Sequence, residues 1–113
     1  MEAMSTNEGL VNYLVDKIKK ENNLSNKIVG ILGMSFKAES DDIRNSLSYK
    51  LKKILSLHSK NVLTSDPYVK NDKDIKSLNY VKKYCDILII ATPHKIYNKI
   101  KTRKKIYNIW VDY

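Results

Sequence analysis

Leu10, Val11, Leu14, Val15 and Ile18 recur at three- and four-residue intervals, with lysines on the opposite side. That spacing predicts an amphipathic helix over Asn7 to Glu21, its start capped by Ser5, Thr6 or Asn7. Asn22, Asn23 and Ser25 break the pattern, and the short apolar run Lys27 to Leu32 predicts a first strand. Helical spacing returns in Ile43, Leu47, Leu51, Ile54 and Leu55, which predicts a strong helix over Ile43 to His58. Asn61 to Ser65 reads as a second strand, ended by Asp66-Pro67 because proline withholds a backbone donor. Lys73 to Tyr84 predicts a polar helix, and the run DILIIA at Asp86 to Ala91 the third strand. Pro93 to Lys101 is a short helix or turn, and Lys105 to Val111 a last strand.

The order is α-βα-βα-βα-β. Strands that are apolar throughout rather than alternating are buried on both faces, which is the mark of a parallel sheet between helical layers. The predicted fold class is α/β, a Rossmann-like three-layer sandwich. Its parallel sheet has about four strands and is preceded by an N-terminal helix. No Pro/Gly-rich linker or internal repeat divides the chain, so residues 25–113 are expected to form one compact domain, with residues 1–6 a disordered start or an expression remnant. Ligands of such sheets bind beyond the carboxyl ends of the strands, where Gly33 to Asp42, Asp66-Pro67 and Thr92-Pro93-His94 should gather.

Composition narrows the classes of function. The chain has 113 residues, and its apolar runs are strand-sized, too short to span a bilayer. The N-terminus has neither a basic start nor an apolar signal core, so a cytoplasmic setting is expected and membrane partners are not. Cys85 is the single cysteine, which excludes an internal disulfide and a cysteine-built zinc site, and no metal is expected. The net charge of +9 invites a nucleic-acid reading, but 19 of the 21 basic residues are scattered lysines. Only Arg44 and Arg103 offer the bidentate fork that reads guanine or clamps phosphate. Abundant Lys, Asn and Ile fit an AT-rich coding bias better than a designed basic face.

The segment ILGMSFKAESDDIR, Ile31 to Arg44, carries the candidate chemistry. A dinucleotide turn needs G-x-G-x-x-G, so that backbone amides and a helix end touch the pyrophosphate. Here the spacing is Gly30-x-x-Gly33-x-x-Phe36, and Asp41 and Asp42 at the expected helix start would repel a phosphate. Those aspartates suit a helix dipole and supply an N-cap. Lys37, on a loop at the ligand edge, can meet a phosphate as a point charge, while Phe36 can pack on a base, a sugar or a neighbouring helix. An exposed lysine beside a core phenylalanine is the plainer alternative. Arg44 sits two positions from Asp42, too close to face it on a helix, and is read as structural.

Several motifs together carry a family resemblance. Residues 33–44, GMSFKAESDDIR, with Ser46 after them, resemble the signature G-x-x-F-K-x-x-[ST]-D-D-x-R-x-S. That signature opens the C-terminal domain of the UDP-glucose/GDP-mannose dehydrogenase family. Ser65 to Val69 resembles the family's D-P-Y-V, and Cys85 to His94 its third strand and the T-x-H that follows. Residues 7–24 are similar to the end of the family's central connecting helix.

The resemblance implies an enzyme that oxidises the C6 alcohol of a nucleotide sugar to a carboxylate with NAD, in capsule or surface-polysaccharide synthesis. NAD would belong to another domain of the full-length enzyme, and none is expected on this chain. Phe36 and Lys37 would then contact the nucleotide sugar, and Gly33, Asp41, Asp42 and Arg44 would hold the loop in shape. Asp66 and His94 are further residues of the ligand edge. Histidine rather than tryptophan at position 94 resembles the enzymes for N-acetylated hexosamines. Cys85 precedes a buried strand without flanking glycines, so a small core side chain is expected there and not the family's nucleophile.

The family's last strand is usually followed by an Asp-Gly-Arg-type loop, whereas this sequence ends at Val111-Asp112-Tyr113. An excised domain or the product of a truncated gene is therefore expected, inactive alone and partnered by the remaining domains of the dehydrogenase. The stripe of Leu10, Leu14 and Ile18, cut from its neighbours, would be left partly exposed and favour a homodimer. The competing readings are a stand-alone, non-catalytic Rossmann-like module and, further back, a basic nucleic-acid binder.

Overall fold

The computed structural model describes residues 6–43 and 46–109, with the backbone alone for residues 6–8. Four parallel strands form one sheet: β1 (Ile28–Leu32), β2 (Asn61–Ser65), β3 (Ile87–Ile90) and β4 (Lys105–Asn108), in the spatial order β2-β1-β3-β4. Helix α1 (Thr6–Glu21) leads into a 3-10 turn at Leu24–Asn26. Helix α2 (Leu47–His58) joins β1 to β2, and α3 (Leu78–Tyr84) joins β2 to β3. A 3-10 helix at Lys95–Lys99 precedes β4. The expected fold class, an α/β parallel sheet of about four strands between helical layers with a helix in front, is the one observed.

Alternate residues of each central strand enter separate cores. Val29, Ile31, Ile87, Ile89 and Tyr107 pack with α1 and α2 on one face of the sheet. Leu32, Leu88 and Ile90 pack with Val81, Cys85 and Tyr97 on the other. Gly30 lets α3 approach, because a Cβ there would collide with Val81 Cγ1. Cys85 is buried, and burial pushes its thiol pKa up, as a core side chain requires.

Three expectations need correction. Helix α2 begins at Leu47, four residues later than the apolar spacing predicts, and its N-cap is Ser46 rather than an aspartate. The Ser46 hydroxyl accepts the Ser48 amide at 3.2 Å and donates to the Met34 carbonyl at 2.8 Å, so a tertiary bond selects the cap. Helix α3 begins only at Leu78, because Ile75 bridges to Thr64 and Lys76 N donates to Thr64 O at 2.8 Å, which holds residues 73–76 against β2. Finally, Leu10, Leu14 and Ile18 are buried within this chain's own core, so the stripe is not left partly exposed. Of the caps proposed for α1, Thr6 and Asn7 already lie within the helix, while Ser5 and the end of the last strand lie outside the described residues. Among the described residues, no helix is long and apolar enough to cross a membrane.

Candidate functional site

β1 lies between β2 and β3, so the chain leaves it in one direction and returns on its other side. The carboxyl ends of β1 and β3 therefore border the switch point, where an open parallel sheet forms a crevice. Three loops meet there: residues 33–46 after β1, 66–69 after β2, and 91–94 after β3.

Gly33 starts the first loop at φ +93, a conformation that favours glycine. Its N–H donates to Ser65 O at 2.8 Å. A Cβ there would lie 2.5 Å from Thr92 Cβ and 2.7 Å from the Thr92 backbone, so Gly33 also allows the first and third loops to touch. Thr92 completes that contact by donating its hydroxyl to Ser35 O at 2.7 Å.

Asp66 is the hub of the three loops. Its Oδ2 accepts Met34 N at 2.7 Å, Ser35 N at 3.0 Å and His94 Nε2 at 2.9 Å. Its Oδ1 accepts Tyr68 N at 2.7 Å and Val69 N at 3.3 Å. Burial alone pushes this carboxyl up. The bond from His94 and the amides of Tyr68 and Met34 together outweigh burial and hold its pKa below the usual carboxylate value. A buried carboxylate with its lone pairs occupied is a structural anion.

His94 is fully buried, with the ring of Tyr68 at 4.7 Å and that of Tyr97 at 5.6 Å. Its Nδ1 accepts the Glu39 amide at 2.8 Å, which puts the ring proton on Nε2, facing Asp66. Ser35 Oγ lies 3.2 Å from that same Nε2 and donates to Lys37 O at 2.9 Å. A serine, a histidine and an aspartate thus meet, but serine and aspartate share one ring nitrogen. A nucleophilic relay needs them on opposite nitrogens and an open serine, whereas Ser35 is 1% exposed. The cluster is built to hold loops, not to attack a substrate.

Phe36 and Lys37 are the outward residues of the first loop, and Phe36 is 51% exposed. Among the described residues, Lys37 Nζ has no hydrogen bond or ion pair. The loop is closed behind them by Phe36 N, which donates to Asp42 O at 2.5 Å. Asp42 N in turn donates to Ser40 Oγ at 3.1 Å. Asp41 is exposed on the same loop, and Arg44 lies outside the described residues. Of the residues singled out from the sequence, Gly33, Phe36, Lys37, Asp42, Asp66 and His94 are brought together at one edge. Asp66 and His94 stand beneath the surface instead of facing a ligand.

Glu39 was not legible as part of this edge. It has φ 57, and its carboxylate accepts Lys95 N at 3.0 Å and the Tyr68 hydroxyl at 3.0 Å. These bonds reach the loops after β3 and β2 from the loop after β1. The amide of Lys95, which outweighs a small burial effect, and the Tyr68 hydroxyl hold the Glu39 pKa low.

The β1 turn does not fit a dinucleotide. Val81 and Cys85 side chains fill the space over Gly30, and Thr92 fills that over Gly33. The Ser48 amide at the start of α2 is taken by Ser46. Backbone glycines and a bare helix end, which a pyrophosphate needs, are therefore not offered.

Comparison with known proteins agrees with this geometry. The UDP-glucose/GDP-mannose dehydrogenase family, UDP binding domain, matches residues 30–111. UDP-N-acetyl-D-mannosamine dehydrogenase of Pyrococcus horikoshii is 37% identical over 76 residues, covering 67% of this chain and 18% of that protein. The solved structure of UDP-D-ManNAc dehydrogenase from the same organism aligns with TM-score 0.75 at 29% identity, over 93% of this chain and 27% of that one. A GDP-mannose dehydrogenase from Pseudomonas aeruginosa shares the fold, with TM-score 0.75 at 23% identity over 94% of this chain and 29% of its own. The chain thus spans about a fifth of the curated relative's length. It belongs to the UDP-glucose/GDP-mannose dehydrogenase family, as that family's UDP-binding domain.

Proposed function

We propose that this chain is the C-terminal, nucleotide-sugar-binding part of an NAD-dependent nucleotide-sugar 6-dehydrogenase serving capsule or surface-polysaccharide synthesis. On this reading α1 is the end of the enzyme's central connecting helix, and residues 25–113 are the binding domain. The observation that carries the proposal is the contrast within one loop. Phe36 and Lys37 face outward with their side chains uncommitted, while buried polar groups fix the segment beneath them. An exposed aromatic face suits a base or sugar ring, and a lysine suits a diphosphate as a mobile point charge.

The N-acetylated hexosamines are the favoured sugar class. The name of the P. horikoshii relative supports that choice, while the buried His94 would act on it only through the loops it holds. NAD and the oxidation itself belong to other parts of the full enzyme. Cys85 is buried with a raised pKa, the opposite of what a thiolate nucleophile needs.

Calorimetric titration of the 113-residue chain with UDP, UDP-glucose, UDP-N-acetylglucosamine and GDP-mannose tests the reading. Heat is expected with the UDP compounds, with affinity falling about tenfold or more in Lys37→Ala, the loss of a charge-assisted hydrogen bond. No NAD reduction is expected with any of these sugars. Absence of heat with all four ligands overturns the assignment for this chain, and turnover overturns the division of labour.

A further inference from the structure

We infer that Glu39 is a positioning residue whose side chain locks the Phe36–Lys37 loop in its ligand-facing conformation. The inference rests on the nucleotide-sugar reading for its consequence, but not for its geometry. Glu39 is the one non-glycine residue with positive φ among the described residues, at φ 57. A residue with a Cβ adopts that left-handed conformation at a cost, and glutamate has no short polar group to ease it as asparagine does. Such strain persists only where the surroundings overdetermine it.

The surroundings do so here. The Glu39 amide donates to buried His94 Nδ1, and its two carboxylate oxygens accept separately from the Tyr68 hydroxyl and the Lys95 amide. One residue therefore joins the loops after β1, β2 and β3. Every bond ends on a group that is itself held: Lys95 follows the fully buried His94, and Tyr68 N is bound to Asp66. Between these bonds and the anchored Ser35 lie Phe36, Lys37 and Ala38, with the Ser35 hydroxyl closing on the Lys37 carbonyl. Phe36 and Lys37 are thus held from both ends while their side chains stay outside. A ligand meeting a preordered pair avoids the entropy of fixing it.

Substitutions test the grip with the strain present and with it relieved. Glu39→Gly removes the strain together with the grip. Glu39→Ala keeps the strain and loses the grip. Glu39→Gln keeps an oxygen for the Lys95 amide and an amide group for the Tyr68 oxygen. NMR relaxation on the full chain reads loop order directly. The backbone order parameter at Lys37 is expected near 0.85 in the unsubstituted chain and in Glu39→Gln, and below about 0.6 in Glu39→Ala and Glu39→Gly.

Tyr49→Phe, which removes a bond to Asp72 on another face of α2, provides a destabilised control and should leave Lys37 rigid. Titrated with UDP-N-acetylglucosamine, Glu39→Ala and Glu39→Gly should bind about tenfold more weakly and Glu39→Gln within about twofold. A rigid Lys37 in Glu39→Gly overturns the inference, since the backbone alone would then set the loop. So does loosening of Lys37 in Tyr49→Phe to the same degree as in Glu39→Ala. If the unsubstituted chain binds no UDP compound, the nucleotide-sugar reading fails while the order parameters still decide the role of Glu39.

Discussion

The two ends of the sheet are built differently. At the amino end, the chain is held by backbone pairs and one exposed carboxylate: Asp86 N donates to Ile28 O at 2.7 Å, Ile28 N donates to Asp86 Oδ2 at 2.8 Å, and Lys60 N donates to Lys27 O at 2.9 Å. At the carboxyl end stand Ser35, Ser46, Ser48, Thr64, Ser65, Asp66, Thr92 and His94, which are all the buried polar residues among those described. Burying polar groups costs free energy unless each is bonded, so a fold that only needed to close its sheet would repeat the amino-end solution. The buried Thr64 hydroxyl has no partner among the described residues. Ser35, Ser46, Ser48, Asp66, Thr92 and His94 are hydrogen-bonded through their side chains, and their concentration at one end marks the end whose loops must keep a shape. Specific loop geometry is what a binding site requires and what a mere turn does not.

Removing the two aspartates breaks that comparison most sharply. Asp66→Ala removes the acceptor of five donors, four of them in buried bonds, and should cost about 3–5 kcal/mol in urea denaturation, a large fraction of the stability of a domain this size. Asp86→Ala frees one exposed amide and should stay within roughly 0.5–1 kcal/mol. Equal losses would mean that the two ends are equally loaded and that the polar cluster has no special standing.

The glycines give the next contrast, with opposite signs. Gly33→Ala meets both a positive φ and the Thr92 backbone, and should destabilise by about 2–4 kcal/mol. Gly9→Ala, in α1 with open space around it, should stabilise by about 0.5–1 kcal/mol through helix propensity. Thermal melts of the two variants should therefore move in opposite directions from the parent.

Acid should act through the carboxyl end. Asp66 is held below its ordinary 3.8, so its contribution is complete above the unfolded value and lost as pH falls through the lower, folded one. Stability should decline as pH drops below about 4, and Asp66→Asn should flatten that decline while lowering stability at neutral pH. Urea midpoints measured from pH 3 to 7 check the slope. An unchanged slope in Asp66→Asn would assign the acid response to Glu21, Glu39 and Asp72, which are also held low.

The sheet was legible because apolar runs determine burial on both faces. Asn61–Ser65 was found residue for residue, and β1 and β3 to within one residue at each end. The start of α2 was not legible: Asp41 and Asp42 are good capping residues by type, and nothing local distinguishes them from Ser46. That choice is made by Met34, which sits 12 positions away and accepts the Ser46 hydroxyl. The same holds for the site. Phe36 and Lys37 were singled out through a motif and are exposed at the sheet's carboxyl edge, but whether Asp66 and His94 face outward or hold a loop depends on groups remote in sequence. Glu39 gave no signal at all, since a glutamate in a polar loop is ordinary until its φ and its three loops are seen together.

The smallest effect separates two serines that do the same local job. Ser46 and Ser77 each cap a helix with one side-chain oxygen, accepting Ser48 N and Tyr80 N. Local capping alone predicts that replacing either by alanine costs about 1 kcal/mol. Ser77 is exposed, so water can take over the Tyr80 amide and the cost should stay at or below that value. Ser46 is 4% exposed and also donates to the Met34 carbonyl, so Ser46→Ala leaves that buried acceptor unpaired as well. Its cost should reach about 2 kcal/mol, the excess being the penalty of the orphaned group. If the two replacements cost the same in urea denaturation, the tie from α2 into the first loop carries no energy. The carboxyl end would then be held by Asp66, Glu39 and Thr92 without help from the Ser46 cap.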